Sequence, residues 1–446
     1  MTFFLGVSTF FGVVVILLIL RDLLLFNGLS TSFLTSMSTE FTFLRPFFAL
    51  HILGFSIEQD PSYYLFVFWR EYLYGYCSPY NTDTREIWPE NMIGLDTSPM
   101  EQRIEISLAP MMGVTTPHYR RFIRLTSETT VLFTEMIVSN TVIHIPRDKL
   151  KEKLGEYDDK TVVQIGGSDP VQIIEAVRII QSLGYKMFNL NCGCPSSRVK
   201  KGSFGAVLML NKELVAEIIN RVYKETGEVL SLKIRTGVDD EDGIGFLSGF
   251  VGYIRKNTPN RTFYIHARKC WLEGLSPGQN RKLPPLDYDS VYEIKKLYPE
   301  LKIILNGSIS ENNLDRVSGL DGAMIGREAI RNAFVFWDID QQLHGGQGVE
   351  MWNGSKETCP LDSSMRRIEC NEDHKSKRVQ KIHSVVKQYF EGFSPSIQLK
   401  PAHILPVMNL VRGKKGCKAY RRKLNSALIH QIRPSEVYPL IMEHFG

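Results

Sequence analysis

From about residue 104 the chain alternates short apolar, largely β-branched runs with longer stretches of amphipathic pattern. The runs fall at residues 104–109, 131–134, 161–165, 187–190, 230–234, 262–265, 301–305 and 322–325. Between most of them lie stretches of helical period, such as 170–183, 212–225 and 290–298. Asp169 followed by Pro170 is a helix-start signal, a side-chain acceptor before a ring with φ already set. Eight strand-like runs in about 230 residues, each followed by a crossover, predict an α/β fold of the TIM (β/α)8 barrel type. An open doubly wound sheet would carry a glycine-rich phosphate loop after its first strand. The segment Ala109-Pro110-Met111-Met112-Gly113 is not one.

Past the eighth run the pattern changes. Residues 335–362 lose the alternation and contain Gly345, Gly346 and Gly348. The predicted organisation is a barrel over 101–343, a linker over 344–362 and a small all-helical unit over 363–446, with helices near 375–390 and 414–428. Net charge is only +5, but about 15 Lys/Arg against about 4 Asp/Glu lie between Arg366 and Lys423. That local excess suits a polyanion such as RNA, although a solvated helix face gives the same count.

Residues 1–100 do not share the barrel's pattern. Residues 3–20 carry no charge and are rich in Phe, Val, Ile and Leu, closed by Arg21 and Asp22. That length just spans a bilayer and is long for a signal-peptide core. Three readings stay open: a leader directing the chain to an organelle (plastid or mitochondrion), a retained anchor giving membrane contact, and a start site placed too early in a cytoplasmic protein. Seven scattered cysteines without a Cys-x-x-Cys pair argue for a reducing compartment and against a disulfide framework or a structural zinc. No metal is expected, and the chain is expected to be a monomer.

In a TIM barrel the reactive groups gather at the C-terminal ends of the strands. Those ends carry Pro110, Met111 and Met112; Gln164, Gly166 and Gly167; Asn189 to Ser196; Lys233 and Arg235; His266, Arg268 and Lys269; Asn306 and Gly307; Gly326 and Arg327. Glycine at the mouths of strands seven and eight leaves backbone N–H groups free for an anion, the usual phosphate place in this fold; singly, either is an ordinary turn residue. Lys233 is a lone cation in an apolar strand and requires an anionic partner. Gln164 and Asn191 offer donor and acceptor pairs to a pyrimidine-like edge or, equally, cap nearby backbone. Cys194, between Gly193 and Pro195, is held out of regular structure, where a thiol can serve as general acid. Cys192 stands two residues away.

These segments carry a signature. NLNCGCPSSRVKKGSFGAVLM from Asn189, LAPMMGVTT from Leu108, KIRTGV from Lys233 and NGS from Asn306 resemble the tRNA-dihydrouridine synthase family. HARKCWLEGLSPGQNRKLPPLDY from His266 resembles the insertion of the bacterial A-type branch, which acts at D-loop positions 20 and 20a. VRGKKGCKAYRRKLNS from Val411 is similar to that branch's helical RNA-binding domain. The resemblance implies reduction of the uridine C5=C6 bond in tRNA, with FMN as cofactor and NADPH as reductant. NADH stays open, since no dinucleotide fingerprint is present. It implies Cys194 as proton donor to C5. It implies cofactor contacts from Pro110, Met111, Met112, Gln164, Lys233, His266, Asn306, Gly307, Gly326 and Arg327. Asn191, Arg198, Arg268 and Lys269 are then substrate contacts. Cys192 stands where the family has a small apolar residue, which places a second thiol near the flavin. Two rivals remain: an FMN barrel oxidoreductase for a free pyrimidine, of the dihydroorotate dehydrogenase kind, and a non-catalytic RNA-binding protein keeping the barrel as scaffold.

Overall fold

The computed structural model describes residues 104–344, apart from 198, 200 and 201, together with residues 372–445. The predicted leader or anchor and nearly all of the predicted linker lie outside the described residues. Among the described residues no helix is long and apolar enough to cross a membrane.

The strands are β1 (Glu105–Leu108), β2 (Val131–Phe133), β3 (Ile137–Val138), β4 (Thr161–Gly166), β5 (Phe188–Asn191), β6 (Ser231–Arg235), β7 (Thr262–His266), β8 (Lys302–Asn306) and β9 (Gly322–Ile325). All pairings between them are parallel. β2 pairs with both β1 and β4, which closes the sheet into a barrel. β3 also pairs with β4, one step further along. It continues the path of β2 after a break, so nine segments fill eight barrel positions. Alternate residues point inward. Ala109, Phe133, Val162, Tyr264, Ile304 and Met324 form the apolar filling inside the barrel. Below it the Tyr264 hydroxyl donates to Glu105 Oε1 at 2.9 Å, and Lys302 pairs with the same carboxylate at 2.7 Å.

The crossover helices are α1 (Pro117–Thr126), α2 (Ser139–His144), α3 (Arg147–Leu154), α4 (Pro170–Gln181), α5 (Lys212–Thr226), α6 (Gly243–Asn257), α7 (Tyr288–Leu297), α8 (Arg327–Arg331) and α9 (Val335–His344). Several start with one device, a short polar side chain that accepts the first free amides. Thr116 accepts from Tyr119 N, Asp169 from Val171 N and Gln172 N, Asn211 from Leu214 N, and Asp287 from Ser290 N. α9 lies where the strand–helix alternation stops, within the span expected for the barrel domain. Val335, Phe336 and Ile339 are fully buried, so α9 is a core helix, recognisable only once its neighbours are in place.

The described tail is helical: α10 (Glu372–Glu391), α11 (Pro401–Ile404), α12 (Cys417–Ile429) and α13 (Pro434–Met442). It docks on α1 and α9. Tyr389 stands edge-on to Phe122 at 5.2 Å between ring centroids, and His403 edge-on to His118 at 4.3 Å. Arg378 grips both carboxylate oxygens of Asp338 at 2.8 and 3.2 Å.

Candidate active site

Strand register brings the polar residues of the sequence signature together at one rim. Asn191 lies opposite Lys233, and Arg235, His266 and Asn306 lie in register across β6 to β8. Side chains of paired residues in a parallel sheet share a face, so one parity sends Gln164, Asn189, Asn191, Lys233, His266 and Asn306 above the apolar filling.

Gln164, Asn189 and Asn191 form one hydrogen-bonded chain, and Lys233 with Asn306 a second. Gln164 Nε2 donates to Asn189 Oδ1 at 2.8 Å, and Asn191 Nδ2 donates to Gln164 Oε1 at 2.8 Å. Asn189 Nδ2 passes on to Ser231 Oγ at 3.0 Å. Asn191 Oδ1 meanwhile accepts from the amides of Gly193 and Cys194 at 3.2 and 3.0 Å. Asn191 thereby caps the Cys194 loop, and each amide oriented by the next is locked in one flip state. Across the mouth, Lys233 Nζ donates to Asn306 Oδ1 at 3.0 Å, and Asn306 Nδ2 to Met324 O at 2.7 Å.

The electrostatics are those of an anion site. Burial, reinforced by the Arg235 guanidinium, brings the Lys233 ammonium down to about 7. Burial also holds His266 well below its ordinary value, with Arg235, Lys233, Arg268 and Arg327 adding to the shift. His266 is therefore neutral at pH 7. Its Nδ1 is buried without a partner, as is Arg268 Nε. Orphaned buried polar atoms beside clustered cations fit a ligand with both hydrogen-bonding edges and negative charge. Two glycines leave room for it. Gly307 has φ +131°, and a Cβ there would lie 3.2 Å from Leu286; at Gly326 the nearest neighbour of a Cβ is Ala109, at 3.8 Å. The carbonyl of Gly307 is tied to the Tyr288 hydroxyl at 2.6 Å. The site fits a flavin mononucleotide: amide and imidazole groups for a ring edge, cations for charge, glycine backbone at β8 and β9 for a phosphate.

Cys194 is partly exposed at this mouth, with Sγ 3.5 Å from Ser196 Oγ. Its loop returns sharply at Gly205, φ +72°, where a Cβ would meet Cys194 O at 2.6 Å. Cys192 corrects the expectation of a second thiol beside the flavin. It is 0% exposed in the apolar core, and burial pushes its thiol up.

The other expected residues fall at the rim with differing partners. Met111 is half-buried; its N–H donates to Thr115 Oγ1 at 3.0 Å. Met112 is 63% exposed, and Pro110 is partly buried beside them. Arg327 donates to Arg281 O at 2.8 Å. Arg268 donates to Pro284 O, and Lys269 pairs with Asp242 while standing 4.5 Å over the Trp271 ring. Arg198 lies outside the described residues. Sequence reading assigned no role to Asn189, Ser231 or Arg235. Only inward parity could have revealed Asn189 and Ser231, since each is an ordinary polar residue inside a strand.

A closed parallel barrel whose mouth joins a thiol, a buried lysine of lowered pKa and glycine backbone at the ends of β8 and β9 defines a barrel oxidoreductase of the flavin-binding kind. The family model described as "Dihydrouridine synthase (Dus)" matches residues 107–406, so the chain belongs to the dihydrouridine synthase family. The tRNA-dihydrouridine(20/20a) synthase of Salmonella typhi is 40% identical over 246 residues, 55% of this chain and 74% of that protein. That of Shewanella oneidensis is 42% identical over 247 residues, 55% of this chain and 73% of that protein. Among solved structures, a 2-naphthoyl-CoA reductase complex aligns with a TM-score of 0.42 at 12% identity, over 53% of this chain and 50% of that one.

Proposed function

We propose that this protein reduces uridine to 5,6-dihydrouridine in tRNA, at position 20 or 20a, with FMN as cofactor and NADPH as reductant. The observation that carries the reading is the register of β5 on β6, which sets Asn191 and its capped Cys194 loop beside Lys233 at one mouth. The relatives' names support the substrate, and the A-type insertion supports the position. When bound, the flavin supplies the two electrons that saturate the pyrimidine C5=C6 bond.

The chain's own residues do the rest. Lys233, His266 and Asn306 hold the polar edge of the ring system, and the backbone at Gly307 and Gly326 with Arg327 receives the phosphate. Cys194 holds a proton on Sγ for pyrimidine C5, and the asparagine–glutamine network keeps its loop in place. Apolar side chains fill the barrel below the mouth, and the target base reaches the mouth by being turned out of the tRNA fold. The basic tail meets RNA phosphates.

The test is mass spectrometry of unmodified tRNA after incubation with protein, FMN and NADPH. Dihydrouridine is expected with the wild type. Cys194→Ala is expected to bind FMN and remain yellow while losing about 10²–10⁴-fold in rate, the usual contribution of a general acid. Yellow protein that oxidises NADPH and leaves tRNA unchanged would replace this reading with that of a free-pyrimidine oxidoreductase. Colourless protein that binds tRNA would favour the scaffold reading.

A further inference from the structure

The loop after β8 is built around Asn313. Its Oδ1 accepts from Ser310 N at 2.7 Å and from Ser310 Oγ at 3.3 Å, and its Nδ2 donates to Ser308 O at 2.9 Å. One residue earlier, the Tyr288 hydroxyl at the start of α7 donates to Gly307 O at 2.6 Å. The Arg316 guanidinium lies 4.9 Å over the Tyr288 ring, and Arg316 O accepts from the Tyr292 hydroxyl at 2.7 Å, so α7 and this loop hold one another. Two successive carbonyls are thus turned to side-chain donors. In a trans peptide the N–H points opposite to the C=O, so the N–H groups of Ser308 and Ile309 face away from Tyr288 and Asn313. Neither N–H has a hydrogen-bond partner among the described residues. Successive free N–H groups form a concavity that binds anions. The conformation is strained, since Ser308 sits at φ +58°, where an L-side chain is disfavoured. Such strain persists where the surrounding structure holds it, and it collects at ligand clamps.

We propose that Tyr288 and Asn313 are positioning residues for the flavin phosphate: they hold the carbonyls of Gly307 and Ser308 aside and so present the N–H groups of Ser308 and Ile309 to it. This deepens the functional reading above and rests on its cofactor. Both side chains act through the peptide they hold. Without the Asn313 donor the strained Ser308 peptide relaxes, and the N–H of Ile309 leaves the phosphate. One charge-assisted hydrogen bond lost corresponds to about ten- to a hundredfold in affinity.

The test titrates full-length protein, freed of flavin, with FMN and with riboflavin, which lacks the phosphate. Asn313→Ala and Tyr288→Phe are each expected to weaken FMN about tenfold or more and riboflavin less than about threefold. Inorganic phosphate is expected to strengthen riboflavin binding to wild type and not to Asn313→Ala. Equal losses for both flavins, as a general loosening of the mouth would give, overturn the positioning role, and so does an unchanged FMN affinity. Amide hydrogen exchange supplies a second readout. FMN is expected to slow exchange at Ser308 and Ile309 about tenfold or more in wild type, and riboflavin is not; amides that FMN leaves unprotected overturn the assignment. If Asn313→Ala does not fold, Tyr288→Phe, which removes one hydroxyl, decides together with the wild-type exchange. Wild type that binds both flavins equally overturns the phosphate seat and leaves the cofactor standing. Wild type that binds neither flavin removes the functional reading and this proposal with it.

Discussion

Lys233 shows most directly how a single residue links stability to ligand. Its ammonium titrates near 7 in the folded protein against an ordinary value of 10.5, because burial and Arg235 oppose the charge. Between those values the unfolded chain holds a proton that the folded one has lost. Stability from this group therefore rises with pH from 7 towards 10, and below 7 the cost of the buried charge is present in full. An anionic ligand reverses the balance by restoring the ammonium. Flavin affinity, followed by quenching of flavin fluorescence, is expected to fall as pH rises from 7 to 9, by up to about one log unit per pH unit. Lys233→Met is expected to flatten that slope, weaken binding and raise the melting temperature of the flavin-free protein. A wild-type affinity independent of pH over this range would remove the argument. The cation in the apolar KIRTGV run was readable from sequence; its neutral partner, Asn306 Oδ1, was not, because 73 residues separate them.

At the scale of elements, five of the eight strands were found one residue short at their C-terminal ends. The apolar run stops where the chemistry begins, yet the ladder continues through Gly166, Asn191, Arg235, His266 and Asn306. A hydrophobicity pattern registers burial against apolar neighbours. The mouth of a barrel buries polar side chains against each other, so pattern and backbone part company there. α6 shows a related effect. Its four glycines argue against a helix, but Leu247, Phe250, Val251 and Ile254 are buried, and Gly252 lets the Tyr298 hydroxyl approach within 2.4 Å of where a Cβ would sit. Docking of α11 on α1 carries its own pH dependence. His403 Nδ1 accepts from Lys400 N at 3.1 Å, a bond only the unprotonated nitrogen can make. Burial, His118 and Lys400 bring this ring down to about 4 from 6.5, and burial with Arg121, Lys400 and Arg120 lowers His118. With both folded values depressed, the stabilisation is present above 6.5 and lost as pH falls through about 4. Tyrosine and tryptophan fluorescence is expected to report loosening of the tail on acidification, shifted to lower pH in His403→Gln; an unshifted transition would discount the pair.

For the whole molecule, the tail's charge matters through its placement. Lys415, Lys418 and Arg422 are exposed, the last two four residues apart on α12, whereas Lys423 is paired with Glu443 and Arg421 donates to Asn409 Oδ1 at 2.5 Å. Of the cations counted in the sequence, only the exposed and unpaired ones are free to release counterions on binding RNA. Replacing Lys415, Lys418 and Arg422 by glutamine is expected to lower the slope of log Kd against log salt by about 0.7–0.9 per lost phosphate contact, with the NADPH half-reaction unaltered. A slope equal to that of wild type would place the RNA elsewhere.

Sequence alone determined the barrel, because eight apolar runs with crossovers between them have few other ways to bury both faces of a parallel sheet. It also determined the family and singled out Cys194 as the candidate thiol, since local motifs carry both. Tertiary structure decided which groups meet. Register set Asn191 beside Lys233, parity put Cys192 into the core and Asn189 into the network, and closure brought β2 to β4. Motif and period are properties of neighbours along the chain, whereas charge partners, burial and the cost of an orphaned polar atom exist only between residues that folding brings together.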